Sequence, residues 1–305
     1  MRNWLQYVAG IFVLGSLLAA APNTYAQSNS FGPYENDENT MMLLHFDGDS
    51  QADHLTNASD SSGDANMHGN VQFQSHESLG DRGLGSEMGD LLYLDNNAIE
   101  DSSYLWVPDT SGLDLQESWT MEAWVNIFTY GQTGEDHRWR PKLLVKSGPS
   151  DGRAFSNYFN VMRGDLQLFH TGYYTPGAGW LAVDSPPNSF KPTNWYHVTF
   201  VRDAENMILM QMIHNPQGEL VYFNARAIPP QNDPPNETDA PAWIGINLGQ
   251  GGGWLDGYID EMRVSDIVRD FDYPPGGEDE PAGCGQHERA VCSSALPHGF
   301  RRRRL

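Results

Sequence analysis

The sequence predicts an all-β protein, an antiparallel sandwich of two sheets, and three observations carry that expectation. Short apolar runs separated by Gly, Pro, Asn and Asp recur from Met41 to about Phe271, the pattern of strands joined by turns. Within one run, Trp119, Met121, Ala123, Val125 and Ile127 alternate with Thr120, Glu122, Trp124 and Asn126, a period of two that turns one face inward. Third, acids interrupt the apolar segments at both ends, Leu43-Leu44-His45-Phe46-Asp47-Gly48 and Gly257-Tyr258-Ile259-Asp260-Glu261-Met262-Arg263-Val264. An inward carboxylate on a strand is costly unless it is hydrogen-bonded, paired or metal-bound. The first and last strands are therefore expected side by side, with Asp47 and Asp260 meeting at a hard cation such as calcium. No window sustains apolar residues at i, i+3, i+4 and i+7, so helices are not expected.

Taken in order, the chain opens on a segment with the features of an export signal. Arg2 precedes an apolar stretch from Val8 to Ala21, and Thr24-Tyr25-Ala26 offers small residues for cleavage after Ala26. The stretch falls short of the roughly 20 residues of a membrane span, so a secreted, periplasmic or cell-surface protein is expected. Residues 27–40 are polar and turn-rich and read as a flexible leader. The domain follows over 41–272, with expected strands at Leu91–Leu94, Tyr104–Val107, Trp119–Ile127, Leu143–Lys146, Tyr158–Met162 and Leu166–His170. Further strands are expected at Trp195–Arg202, Met207–Ile213, Leu220–Phe223, Ala242–Leu248 and Tyr258–Val264. Arg163-Gly164-Asp165 and Asn215-Pro216-Gln217-Gly218 punctuate two hairpins. Residues 48–69, 129–141, 171–192 and 226–241 read as long connections, which in a compact domain are usually functional or disordered. From 273 the composition shifts to that of a disordered tail. It holds both cysteines, Cys284 and Cys292, which an oxidising compartment could pair into a small local loop.

The net charge is −22, from 40 acidic and 18 basic residues, four of the latter being Arg301 to Arg304. Such a surface repels phosphate backbones, which argues against a nucleic-acid partner. No later segment is long and apolar enough for a membrane span.

The order of motifs resembles the laminin-G-like, concanavalin-A-like jelly-roll superfamily in its secreted bacterial branch. The residues that carry the resemblance are Leu44-His45-Phe46-Asp47-Gly48, the turn Asp60-Ser61-Ser62-Gly63, Tyr104-Leu105-Trp106-Val107-Pro108 and Trp119-Thr120-Met121-Glu122-Ala123-Trp124-Val125. They continue with Leu143-Leu144-Val145-Lys146, Trp195-Tyr196-His197-Val198-Thr199-Phe200-Val201-Arg202, Ile244-Gly245 and the 257–264 segment. The resemblance covers about Met41 to Phe271 and implies two curved antiparallel sheets packed face to face. It also implies a structural calcium near the sandwich edge, to which Asp47 and Asp260 would give carboxylates. Calcium takes six to eight oxygens at about 2.3–2.6 Å, so main-chain oxygens, water or Asp49, Asp53 and Asp60 would complete the shell. The same acids could instead cap turns or pair with Arg263.

Activity follows less directly, because the fold hosts lectins, adhesion modules, lyases and glycosidases. Trp106, Trp139, Tyr173, Tyr174, Trp180 and Trp254 lie in or beside loops and glycines. They suit a carbohydrate surface on which sugar rings stack, or they pack over sandwich edges as core. His197, mid-strand, is expected to be a satisfied sheet histidine. The face of Thr120, Glu122 and Trp124 holds one acid rather than a glycosidase pair. The string Gln211 to His214, with Tyr222 and Arg226, looks only superficially like a lyase site. Asn57-Ala58-Ser59 and Asn236-Glu237-Thr238 are glycosylation sequences. The expectation is a binding module for a polysaccharide, another glycan or a cell-surface protein, without chemistry of its own. The alternatives are a polysaccharide lyase or hydrolase on the same fold, or a protein-binding adhesion module.

Overall fold

A computed structural model describes residues 31–48, 54–96, 102–129, 140–146, 167–175, 179–230, 234–235, 237–246 and 253–269, together with the backbone of 158–163. Its strands are β1 (Thr40–Leu44), β2 (His54–Leu55), β3 (Ala65–His68), β4 (Val71–Ser75), β5 (Asp90–Leu94) and β6 (Tyr104–Val107). They continue as β7 (Trp119–Thr129), β8 (Lys142–Lys146), β9 (Tyr158–Arg163), β10 (Leu168–Thr175) and β11 (Gly179–Asp184). The series closes with β12 (Trp195–Asp203), β13 (Ile208–His214), β14 (Leu220–Ala227), β15 (Ala242–Ile244) and β16 (Asp256–Ser265). One α-helical turn, α1 (His76–Leu79), is capped by the Ser75 side chain. Among the described residues no helix is long and apolar enough to cross a membrane.

Every pairing is antiparallel. Sheet A runs β14-β13-β12-β7-β16-β5-β4, with β1 also on β16; sheet B runs β11-β10-β9-β8-β15-β6-β3-β2. The first and last strands do lie side by side, Leu44 opposite Met262 and Thr40 opposite Ser265. One edge of β16 is taken by β7. The other is shared end to end, β5 covering Gly257–Ile259 and β1 covering Met262–Ser265. The turn after Leu55 closes the free edge of β1: Asn57 Oδ1 accepts the Leu43 N–H, and Ser62 Oγ donates to the Met41 carbonyl. Asn57 is buried and its amide donates to Ser62 Oγ at 2.6 Å, so this glycosylation sequence presents no accessible amide. Asn236 lies outside the described residues.

Period-two alternation packs Trp119, Met121, Ala123, Val125 and Ile127 into one continuous core between the sheets. Trp119 is fully buried there, edge-on to Phe200 at 4.8 Å and to Tyr173 at 6.0 Å, contacts that add to the large apolar area each ring removes from water. A second, smaller cluster of Trp124, Trp195, Leu91, Leu79 and Met88 lies on the outer face of sheet A. Two segments cover that face, residues 31–37 and the stretch from His76 to Met88. Hence β7 is buried on both sides from Trp119 to Ile127.

The structure departs from the sequence reading in several places, among them β2 and β3 inside the 48–69 connection and the unexpected β4 and α1. Residues 27–40 read as a flexible leader, but from Phe31 onward they pack on sheet A. The 171–192 connection contains the end of β10 and all of β11, which pair from Thr175–Gly179 to His170–Asp184. Finally, β16 carries a β-bulge: Glu261 has φ 47°, and the register with β7 slips between Asp260 and Arg263. The extra residue lets Ile259, Met262 and Val264 face the core while Asp260, Glu261 and Arg263 all face outward.

Candidate ligand platform and cation site

Alternation on β6 and β15 builds an aromatic strip on the outer face of sheet B. Leu105, Val107, Ala242 and Ile244 point into the core, so Tyr104, Trp106 and Trp243 point out and stay partly exposed. Register places Trp243 opposite Trp106 and His68 opposite Tyr104. Ring centroids are 6.4 Å apart for Trp106–Trp243, 5.8 Å for Tyr104–Trp243 and 6.4 Å for Tyr104–Trp254. His68 stacks on Tyr104 at 4.5 Å. Gly253 directs Trp254 onto the strip: its φ is +102°, and a Cβ there would meet the Arg140 carbonyl at 2.3 Å. Behind the strip, Lys146 lies opposite Ala242 on the inner face of the sheet, and its buried ammonium donates to Asp109 Oδ1 at 2.7 Å, Asp114 Oδ1 at 2.6 Å and the Thr238 carbonyl at 2.8 Å. It thereby ties the segments after β6 and before β15 to β8. Rings held by three paired strands and such a clamp form a rigid, partly hydrated face that suits stacking against sugar C–H surfaces.

Of the aromatic residues expected at such a surface, Trp106 and Trp254 join the strip. Tyr174 and Trp180 form a cross-strand pair on β10 and β11 of the same sheet. Trp180 is 37% exposed and stacks on His170 at 5.6 Å. Strand spacing of about 4.8 Å puts this pair roughly 15–20 Å from Trp243. Tyr173 does not reach the surface: it is fully buried, and its hydroxyl accepts from Arg202 Nε at 3.2 Å. The alternation that buries Phe169 and Thr171 on β10 also turns Tyr173 inward. Trp139, Cys284 and Cys292 lie outside the described residues. Tyr104, Trp243 and His68 complete the strip, and Ala-Trp-Ile on a strand already implies an outward Trp.

A second constellation sits where β1 ends and β5 begins along β16. His45, Asp47 and Glu261 each offer a ligand atom within 4.8 Å of the others. Asp47 Oδ1 accepts the Asp90 N–H at 2.9 Å, and His45 Nδ1 lies 2.8 Å from Glu261 Oε1. A Cβ on Gly89, whose φ is +69°, would stand 1.8 Å from Asp47 Oδ1, so glycine makes room for the carboxylate. Asp260 stands behind this set and is fully buried. Its oxygens are engaged by His76 Nε2 at 2.9 Å and the Glu261 N–H at 2.8 Å. His76 Nδ1 accepts the Leu84 N–H, so the proton of the neutral ring sits on Nε2 and is donated to Asp260. Burial holds His76 down to about 4. Burial, and then Glu261, pushes the Asp260 carboxyl well above its usual range. The residue grouped with Asp47 is thus Glu261 with His45, and the bulge explains why simple alternation misses it.

The outer face of sheet A holds a third, covered set. Glu122 is bound through Oε1 by Arg263 Nε at 2.8 Å, and its Oε2 lies 3.6 Å from His197 Nε2. His197 is fully buried, hydrogen-bonded to the Tyr34 hydroxyl and 3.3 Å from Thr199 Oγ1. Burial raises the Glu122 carboxyl against the pull of Arg263. Burial first, then His214 and Arg263, keeps His197 uncharged. Gln211 faces the core, donating to Thr171 Oγ1 at 2.9 Å, whereas His214 faces outward against Phe31. The lyase-like string therefore spans both faces of β13 and assembles no common site.

Fold and platform together define a jelly-roll protein with an aromatic outer sheet face. The profile of the concanavalin A-like lectin/glucanases superfamily matches residues 100–270, more than half of the chain, and the chain belongs to that superfamily. Among solved structures it is similar to the binding domain of botulinum neurotoxin serotype G, with TM-score 0.50 and 11% identity over 76% of this chain and 49% of that one. It is also similar to the Ruminococcus gnavus IT-sialidase CBM40 bound to α2,3-sialyllactose, with TM-score 0.41 and 16% identity over 52% and 81% of the two chains. A third similarity is to the enzymatically active domain of bacteriophage CBA120 tailspike protein 2, with TM-score 0.44 and 15% identity over 80% and 31%. The chain spans about half the length of the neurotoxin domain. No curated protein sequence matches it.

Proposed function

We propose that this protein is an exported glycan-binding module whose ligand lies along Tyr104, Trp106, Trp243 and Trp254. The observation that carries the reading is the line of outward rings held at 5.8–6.4 Å spacings on paired strands, in a superfamily of lectins and glucanases. The Tyr174–Trp180 pair offers a second contact for a chain long enough to span both. Cleavage after Ala26 would release the module to the periplasm, cell surface or medium. A divalent cation, calcium in the resemblance, would sit at Asp47 and Glu261 with His45, where it would pin the β1–β5 junction. Asp260 would support that site from behind.

The test is retention of the mature protein on a panel of immobilised polysaccharides, with reducing ends and unsaturated products measured in the same tubes. Retention by at least one polysaccharide, weakened by Trp106→Ala, supports the reading. Product release would mark the protein as a lyase or hydrolase. Absence of retention across the panel would leave the strip without the proposed role.

A further inference from the structure

The segment Phe31–Asp37 doubles back from β1 through the turn Asp37–Thr40, closed by the Thr40 N–H to the Asp37 carbonyl at 3.0 Å. It then crosses the outer face of sheet A as a ligand would. Phe31 enters a ring pocket, with its centroid 4.6 Å from His214, 4.9 Å from His197 and 6.4 Å from Trp124. Trp124 Nε1 donates to the Phe31 carbonyl at 2.6 Å, and Glu261 Oε2 accepts the Tyr34 N–H at 2.7 Å. The Tyr34 ring lies under the Arg263 guanidinium at 4.0 Å, and its hydroxyl meets His197.

Two main-chain contacts and two aromatic subsites make this a peptide-recognition face, and its partners are 93 to 227 residues away in the chain. His214 Nδ1 is buried without a hydrogen-bond partner among the described residues. A cavity of about 290 Å³ lined by Pro33, Glu35, Asn36, Asp37 and Arg263 also lies along the segment. Asp37 holds the turn end by an ion pair with Arg269 and by accepting from Thr40 Oγ1 at 2.8 Å.

We infer that the outer face of sheet A is a docking site for an aromatic–Gly–Pro–aromatic segment, filled here in cis by Phe31–Tyr34 and open to the same segment from a second copy of this chain. None of the contacts to β7, β12, β13 or β16 depends on which copy supplies the segment. Opening the single turn Asp37–Thr40 therefore exchanges one seating for an equivalent one, the condition for domain swapping. The glycan strip lies on the other sheet, so exchange would join two modules with both strips free.

The test shortens the turn by deleting Glu38 and Asn39 from the mature chain, which prevents the fold-back and leaves the segment extended. Expected is a dimer by light scattering that reverts to monomer when Phe31→Ser and Tyr34→Ser are added. A monomeric deletion variant, or a dimer insensitive to those substitutions, overturns the inference. If the deletion prevents folding, isotope-labelled and unlabelled wild-type copies carrying a photo-crosslinker at position 31 are mixed and irradiated. Crosslinks between labelled and unlabelled chains support exchange, and crosslinks confined to single chains overturn it.

Discussion

Replacing Lys146 by Met tests whether the strands that carry the aromatic strip are anchored by the clamp on their inner face. The Lys146 side chain is fully buried and donates three hydrogen bonds, to Asp109, Asp114 and the Thr238 carbonyl. Methionine keeps most of the volume and removes all three. Breaking a buried pair from one side costs about 3–5 kcal/mol when the abandoned charge stays dry. Here the two aspartates keep 30% and 20% exposure and can rehydrate, which lowers the expected loss to roughly 2–4 kcal/mol. At about 2–4 °C per kcal/mol for a domain of this size, the melting temperature should fall by roughly 4–16 °C. Differential scanning calorimetry at neutral pH measures it. Adding Asp109→Asn and Asp114→Asn should recover part of the loss, because the stranded charges are then gone. A Lys146→Met melt within about 1 °C of wild type would refute the reasoning, since it would mean that the ammonium is not a dry anchor.

Three further outcomes follow from the same geometry. Burial holds His214 down to about 4 against an ordinary value near 6.5, so between those limits the unfolded chain binds a proton that the folded one refuses. Stability from this group is whole above about pH 6.5 and declines as pH falls toward 4, by up to about 1.4 kcal/mol per pH unit. His214→Gln should therefore gain on wild type in melting temperature between pH 7 and pH 4.5, and a constant difference would contradict the assignment. Chelation should lower the wild-type melt but not that of Asp47→Asn, which keeps the acceptor for the Asp90 N–H and loses the charge; an insensitive wild type would sink the cation proposal. Gly253→Ala, which forces a Cβ to 2.3 Å from the Arg140 carbonyl, should weaken glycan retention by displacing Trp254, and undiminished retention would remove Trp254 from the platform.

Much of the architecture was legible because burial imposes a period of two. The core face of β7 and the neighbouring of β1 and β16 followed from alternation and from acids that needed partners. The same rule assigns Tyr173 to the core with Phe169 and Thr171, although the composition around it is that of a loop. Glu261 was illegible for a different reason: a bulge adds a residue and cancels alternation locally, and nothing in Asp-Glu-Met-Arg announces it. The cover over sheet A was hidden by composition, since two rings, Phe31 and Tyr34, anchor an otherwise polar stretch. Strip membership depended on which strands become neighbours, and Trp106 meets Trp243 only through the crossover from β6 to β15.

The binding isotherm of the mature protein for a retained polysaccharide, set beside that of Trp243→Ala, tests the central claim most directly. Trp243 is the ring shared by Trp106 and Tyr104, so its loss should weaken binding about tenfold or more, equivalent to about 1.4 kcal/mol, with the melting temperature little changed. Equal affinity of the two proteins would contradict the account.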